Sequence, residues 1–86
     1  MDSSDKLRDR GLKATSPRLR ILHFLEHSST RHWSAERLYQ ALSQVDADIG
    51  LATLYRVLMQ FEQAGLLEKH QFDGGHAVYE LASEEH

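Results

Sequence analysis

The sequence predicts a mainly α fold closed by a small β-hairpin, a winged helix-turn-helix built as four helices and two strands. Three observations predict it. The stretch 50–65, GLATLYRVLMQFEQAG, carries an apolar face at helical spacing. A second capped amphipathic segment precedes it across a short turn, as in helix-turn-helix units. After Gly65 the period changes, and Asp-Gly-Gly at 73–75 separates two short runs that read as strands.

In chain order, residues 1–4 read as a frayed tail and 5–10, DKLRDR, as a short helix stopped by Gly11. Ser16 is a good N-cap and Pro17 a good first helical residue, so a helix is expected from Pro17 to about His27. It would bury Ile21, Leu22 and Leu25, with Leu19 and Phe24 at the margins. The next helix, AERLYQALSQ, is capped by Ser34 and carries Glu36 in its first turn, where a carboxylate complements the helix dipole. Leu38 and Leu42 share its buried face, with Ala35 and Val45 in line. VDADIG turns the chain into the central helix, Leu51–Ala64, which buries Leu51, Leu54, Val57, Leu58 and Phe61. Gly65 supplies the left-handed residue that ends it. LLEKHQF and HAVYEL are the two strands, and on the second Ala77, Tyr79 and Leu81 alternate with His76, Val78 and Glu80.

Length and composition bound the function. At 86 residues and 41% hydrophobic content the chain is a single folded domain spanning 1–86, without repeats or low-complexity tracts. There is no signal peptide and no apolar run long enough for a bilayer, so no membrane role is expected and the default is cytoplasmic. The absence of cysteine excludes disulfides, thiolate metal sites and a cysteine nucleophile. The net charge is −3, but its distribution is uneven. Residues 1–37 hold eight Lys or Arg against five acids, whereas 38–86 hold only Arg56 and Lys69 against eight. A basic first half suits phosphate contact and favours a nucleic-acid partner.

The outer face of the central helix carries Ala52, Arg56, Met59, Gln60 and Gln63, with Thr53 and Tyr55 on its flanks. Its first two turns lack carboxylates, which is unusual for a solvated face in an acidic chain. Small residues, a Tyr and an Arg near a helix N-terminus suit entry into a major groove, where base edges and phosphates are both within reach. The plain alternative is a quiet solvent-facing helix. Arg18, Arg20 and Lys69 are further phosphate candidates. Tyr55 lies at the edge of the core face and reads equally as a packing tyrosine. Among the six histidines, His23 and His27 are four apart on one helix and could chelate, or could simply face water; no HExxH pair is present. No phosphate-binding glycine loop and no nucleophile–base–acid constellation occurs, so the reading is not an enzyme.

The runs GLKATSPRLRIL, SAERLY, DIGLATLYRVLMQFEQAGLLEKH and FDGGHAVYEL together resemble the N-terminal DNA-binding domain of the ferric uptake regulator family. The resemblance covers about Leu7 to His86, and DIGLATLYRVL is similar to the iron-responsive branch. It implies a metal-responsive transcriptional repressor that binds A/T-rich inverted repeats in double-stranded DNA as a homodimer. By resemblance, Lys13 would reach the minor groove, Tyr55 and Arg56 would contact bases and backbone in the major groove, and Thr53 would contact phosphate. A metal site would join His32 and Glu80 to groups beyond this chain, and another would use His86. Imidazole and carboxylate donors suit Fe(II), Mn(II) or Zn(II). Family members also carry a C-terminal dimerisation and metal domain, so these residues are expected to be the DNA-binding part of a longer protein. Alone they would hold metal weakly and could be monomeric. The rival readings are a winged helix used for protein–protein contact, a zinc- or manganese-responsive member of the same family, and a module whose metal site acts directly.

Overall fold

A computed structural model describes residues 2–72, 74–75 and 77–82. Its elements run α1 (Ser3–Asp9), α2 (Ser16–Glu26), α3 (Ala35–Ser43), α4 (Leu51–Gln63), β1 (Leu67–Gln71) and β2 (Ala77–Leu81). This is the winged helix-turn-helix that the patterning predicts: α3, turn and α4, followed by an antiparallel hairpin.

The helix boundaries follow from local hydrogen bonding. α1 starts earlier than expected because the Asp2 side chain accepts from Asp5 N at 2.9 Å and caps the first turn. α2 also starts early. Thr15, not Ser16, is the N-cap, because its carbonyl accepts from Leu19 N at 2.9 Å and draws Ser16 into the helix. Ser34 caps α3 as expected, its Oγ accepting from Arg37 N at 3.2 Å. The end of α4 is fixed twice. Leu66 N donates to Phe61 O at 2.8 Å and Gly65 N to Glu62 O at 3.1 Å, the paired bonds of a Schellman motif, with Gly65 at φ +83°. A Cβ on Gly65 would also lie 2.7 Å from Arg10 Nη1, which donates to the carbonyls of Ala64 and Gly65.

One core joins every element. Leu7, Ile21, Leu22, Leu38, Leu42, Leu54, Leu58 and Phe61 are nearly or fully inaccessible, and Trp33, Ile49, Val57, Leu67 and Tyr79 close its edges. Leu19 and Phe24 pack at its margin, as expected. Two expected core residues are outside it. Val45 lies beyond the end of α3 and is 67% exposed, so the helical spacing that aligned it no longer applies. Leu51, the first residue of α4, is 40% exposed, whereas Leu54 in the same turn is fully buried.

The wing pairs Leu67 with Leu81, Glu68 with Glu80, Lys69 with Tyr79, His70 with Val78 and Gln71 with Ala77. Gly74 and Gly75 take positive φ in its turn, as Asp-Gly-Gly suggests. A further bridge ties the loop before α3 to β2: Trp33 N donates to Tyr79 O at 3.0 Å and Tyr79 N to Trp33 O at 2.7 Å. The hairpin is thus fastened to the helical body. Among the described residues, no helix is long and apolar enough to cross a membrane.

Candidate nucleic-acid interface and the acid–histidine cluster

α4 packs against α2, α3 and β1, burying Leu54, Val57, Leu58 and Phe61, and turns its other side outward. Ala52, Tyr55, Arg56 and Met59 are exposed there, and Thr53 and Gln60 are half-buried. The first acid on the helix is Glu62, so its outer surface carries no carboxylate through three turns. Gly50 caps it without a side chain, leaving its first amides unclaimed by a capping oxygen. Among the described residues Arg56 has no hydrogen-bond or ion-pair partner.

Arg18 is half-buried and held. Its Nε and Nη2 donate to Gln60 Oε1 at 3.3 and 3.1 Å, and Nη1 donates to Lys13 O at 3.1 Å. The structure therefore joins Arg18, the Lys13 loop and the flank of α4, while the Lys13 side chain itself is exposed. Arg20 is differently employed. Its Nη1 donates to Asp46 and Asp48 at 3.1 Å, fixing the α3–α4 turn, and these carboxylates raise the guanidinium pKa further. Lys69 is exposed on β1, facing the cleft between the wing and α4.

Tyr55 is 40% exposed on the outer side of α4. Its hydroxyl donates to Glu36 Oε2 at 2.6 Å. That bond holds the Glu36 carboxyl below its ordinary range and raises the Tyr55 phenol.

A second cluster lies on the wing. Glu68 and Glu80 sit directly opposite each other, a like-charge pairing that destabilises a hairpin unless a cation intervenes. His70 occupies the gap, its Nε2 3.0 Å from Glu80 Oε1 and 3.7 Å from Glu68 Oε1. His32 Nε2 approaches the same Glu80 oxygen at 3.5 Å, and Arg31 lies 3.8 Å from the other. Glu68, His70 and Glu80 can bring ligand atoms within 4.8 Å of one another. The structure thus brings His32 and Glu80 together, as the sequence reading expected, and adds His70 and Glu68, which it missed. Alternation along β1 puts those two on one face, but only the strand register reveals that this face meets Glu80. His86 lies outside the described residues. His23 and His27 stack with ring centroids 4.0 Å apart on the exposed side of α2, and His27 Nδ1 is 2.9 Å from His23 O.

An exposed, carboxylate-poor second helix beside a fastened hairpin defines a winged helix-turn-helix domain. Comparison with known proteins narrows the class. Residues 9–86 match the profile of the ferric uptake regulator family, and the chain belongs to that family. It is 54% identical over its full length to the ferric uptake regulation protein of Legionella pneumophila and 55% identical to that of Pseudomonas aeruginosa. It spans 63% and 64% of the length of those two relatives. The fold superposes on the P. aeruginosa ferric uptake regulator solved with manganese at a TM-score of 0.90, covering 98% of this chain and 63% of that one. For the Vibrio cholerae ferric uptake regulator the TM-score is 0.91 at 48% identity, covering 99% and 65%.

Proposed function

We propose that these residues form the DNA-binding domain of a metal-responsive, specifically iron-responsive, transcriptional repressor that recognises A/T-rich inverted repeats in promoter DNA. The observation that carries this reading is the outer face of α4, where Arg56, unpaired among the described residues, stands beside Tyr55 with no carboxylate on the helix for three turns. In this reading α4 enters the major groove. Arg56 contacts base edges and backbone, Tyr55 packs on bases, and Thr53 approaches phosphate. Lys13 enters the adjacent minor groove, where a narrow A/T tract concentrates negative potential. Arg18 supports Lys13 and adds positive charge near the backbone. Recognition and regulation replace catalysis, and the cytoplasm, where promoters are accessible, is the working compartment.

Residues 1–86 act as one domain, and the repressor works as a homodimer through a part of the protein beyond them. Metal control draws on His32 and Glu80, with His86 serving a second site. The donors fit a divalent ion chemically: His32 and Glu80 lie together, and imidazole with carboxylate suits Fe(II), Mn(II) or Zn(II). The manganese-containing regulator of P. aeruginosa and the iron-containing one of Francisella tularensis support this class of ligand.

Fluorescence anisotropy of this chain, without added metal, tests the reading. An A/T-rich inverted-repeat duplex is compared with a scrambled duplex across a salt series. Preference for the repeat, falling steeply with salt, is expected. Equal, salt-insensitive behaviour with both duplexes would overturn it and favour a protein partner for the same surface.

A further inference from the structure

The hydrogen bond between Tyr55 and Glu36 joins the two helices of the helix-turn-helix at their exposed edge. Glu36 lies in the first turn of α3, just after the Ser34 cap, where the helix dipole favours a carboxylate. Tyr55 lies in the second turn of α4. Both line the cleft between α3, α4 and the wing, together with Arg37, Lys69 and Tyr79. At 2.6 Å the bond is short and charge-assisted, although both side chains are exposed.

Two consequences follow from the chemistry of a phenol. It has a single donor proton, and Glu36 takes it. The hydroxyl then cannot donate to a phosphate or to a base acceptor. What remains for a ligand is the ring, held in one orientation by a bond at its far end. A ring in a major groove meets the C5-methyl of thymine, the only apolar group on the base edges there. An anionic Glu36 beside a phosphate-binding surface opposes DNA affinity in general. Its service is therefore geometric and not attractive.

We propose that Glu36 is a positioning residue for sequence discrimination: its carboxylate holds the Tyr55 ring as an apolar reader of a thymine methyl, so that α3 sets part of the specificity expressed by α4. This rests on the DNA-binding reading above, and the experiment separates the two.

The probes are the A/T-rich inverted-repeat duplex, the scrambled duplex, and versions of the repeat with single thymines replaced by uracil, which lacks only the methyl. For the unaltered chain, one uracil position is expected to weaken binding roughly fourfold, the value of one buried methyl group. Glu36→Ala is expected to bring that ratio below about twofold while tightening binding to every duplex, because a negative charge has gone. Glu36→Gln, whose amide oxygen still accepts the phenol proton, should keep the ratio and share the general tightening. In a Tyr55→Phe background, where the bond is already absent, Glu36→Ala should leave the ratio unchanged. A purely structural role for Glu36 would weaken all duplexes together.

If the unaltered chain prefers the repeat but discriminates thymine from uracil nowhere, or if Glu36→Ala keeps the full ratio, the positioning role is wrong and DNA reading stands. If the unaltered chain does not prefer the repeat to the scrambled duplex, the DNA reading fails and the positioning role falls with it.

Discussion

Arg18 and Gln60 are joined by two hydrogen bonds converging on one amide oxygen, and the same guanidinium holds the carbonyl of Lys13. A loop candidate for the minor groove and a helix candidate for the major groove are thereby set at a fixed spacing by one side chain. Arg18→Ala is expected to lower stability by about 1 kcal/mol, the net worth of a partly exposed set of such bonds. It should also weaken DNA binding by more than the loss of one phosphate contact. Arg18→Lys should recover little, since an ammonium cannot reproduce the planar fork. Urea denaturation read beside anisotropy separates the two effects; unchanged stability in both variants would show that the contact is incidental.

Among the described residues Arg56 has no side-chain partner to compensate its removal, so its loss should register in binding and not in folding. Arg56→Ala is expected to cost about 1–3 kcal/mol of binding to the repeat with the urea midpoint unmoved. A variant that bound the repeat like the parent would remove α4 from the groove.

Lys13 should behave differently. Lys13→Ala is expected to reduce the slope of log affinity against log salt by about one, because one fewer counterion is released. The loss should be larger on A/T-rich than on G/C-rich flanks, since minor-groove potential depends on groove width. A slope unaltered by the substitution would place this lysine in solvent.

Glu26 governs part of the response to acid. Burial alone pushes its carboxyl upward, but hydrogen bonds from Lys6 and Ser3 outweigh burial and hold it below the ordinary glutamate value of 4.5. Arg20 lowers Asp48 in the same direction from 3.8. A group depressed in the folded state stabilises fully above its unfolded value and loses that contribution as pH falls through its folded value. Stability should therefore be level near neutrality and decline below about pH 4.5. Glu26→Gln should be less stable at pH 7, with a shallower decline between pH 5 and 3. Urea midpoints across that range provide the check, and parallel curves for parent and variant would exclude Glu26 as a source of the decline.

Glu80 is the common partner of His32, His70 and Arg31, which makes it the hub of the wing cluster. Calorimetric titration of this chain with Zn(II) or Mn(II) is expected to show weak binding, since full coordination needs ligands beyond it. Glu80→Ala should abolish that binding, and His70→Ala should weaken it as much as His32→Ala does. Retained affinity in Glu80→Ala would move the ion elsewhere.

Much of this architecture is legible from spacing alone. Leu54, Leu58 and Phe61 recur at helical intervals and lie in the core, and Gly65 ends α4 where a left-handed residue was required. Spacing failed at Val45, which lies past the end of α3, because periodicity predicts a face only for residues within the helix; Leu51, the first residue of α4, is exposed although it lies within one. Ser16 failed for a related reason: capping preference is a local tendency, and the carbonyl of Thr15 closed the turn first. Exposure of Arg56 could be read from its helical position, but the ties of Arg18 to Gln60 and of Tyr55 to Glu36 could not. They depend on how α2, α3 and α4 pack, and no interval within one helix encodes that. His70 was missed because its meaning depends on strand register.

Leu7 is wholly enclosed in the core, yet it lies two residues before the stretch that matches the family profile at Asp9. Leu12 N donates to its carbonyl at 2.9 Å, and Arg10, at the end of the same helix, holds the last carbonyls of α4. The foldable unit therefore includes α1. A chain trimmed to begin at Asp9 would keep every group proposed to meet DNA, yet it would lose the Leu7 side chain from the core beneath α2. Its α4 would then rest on a body already loosened from below.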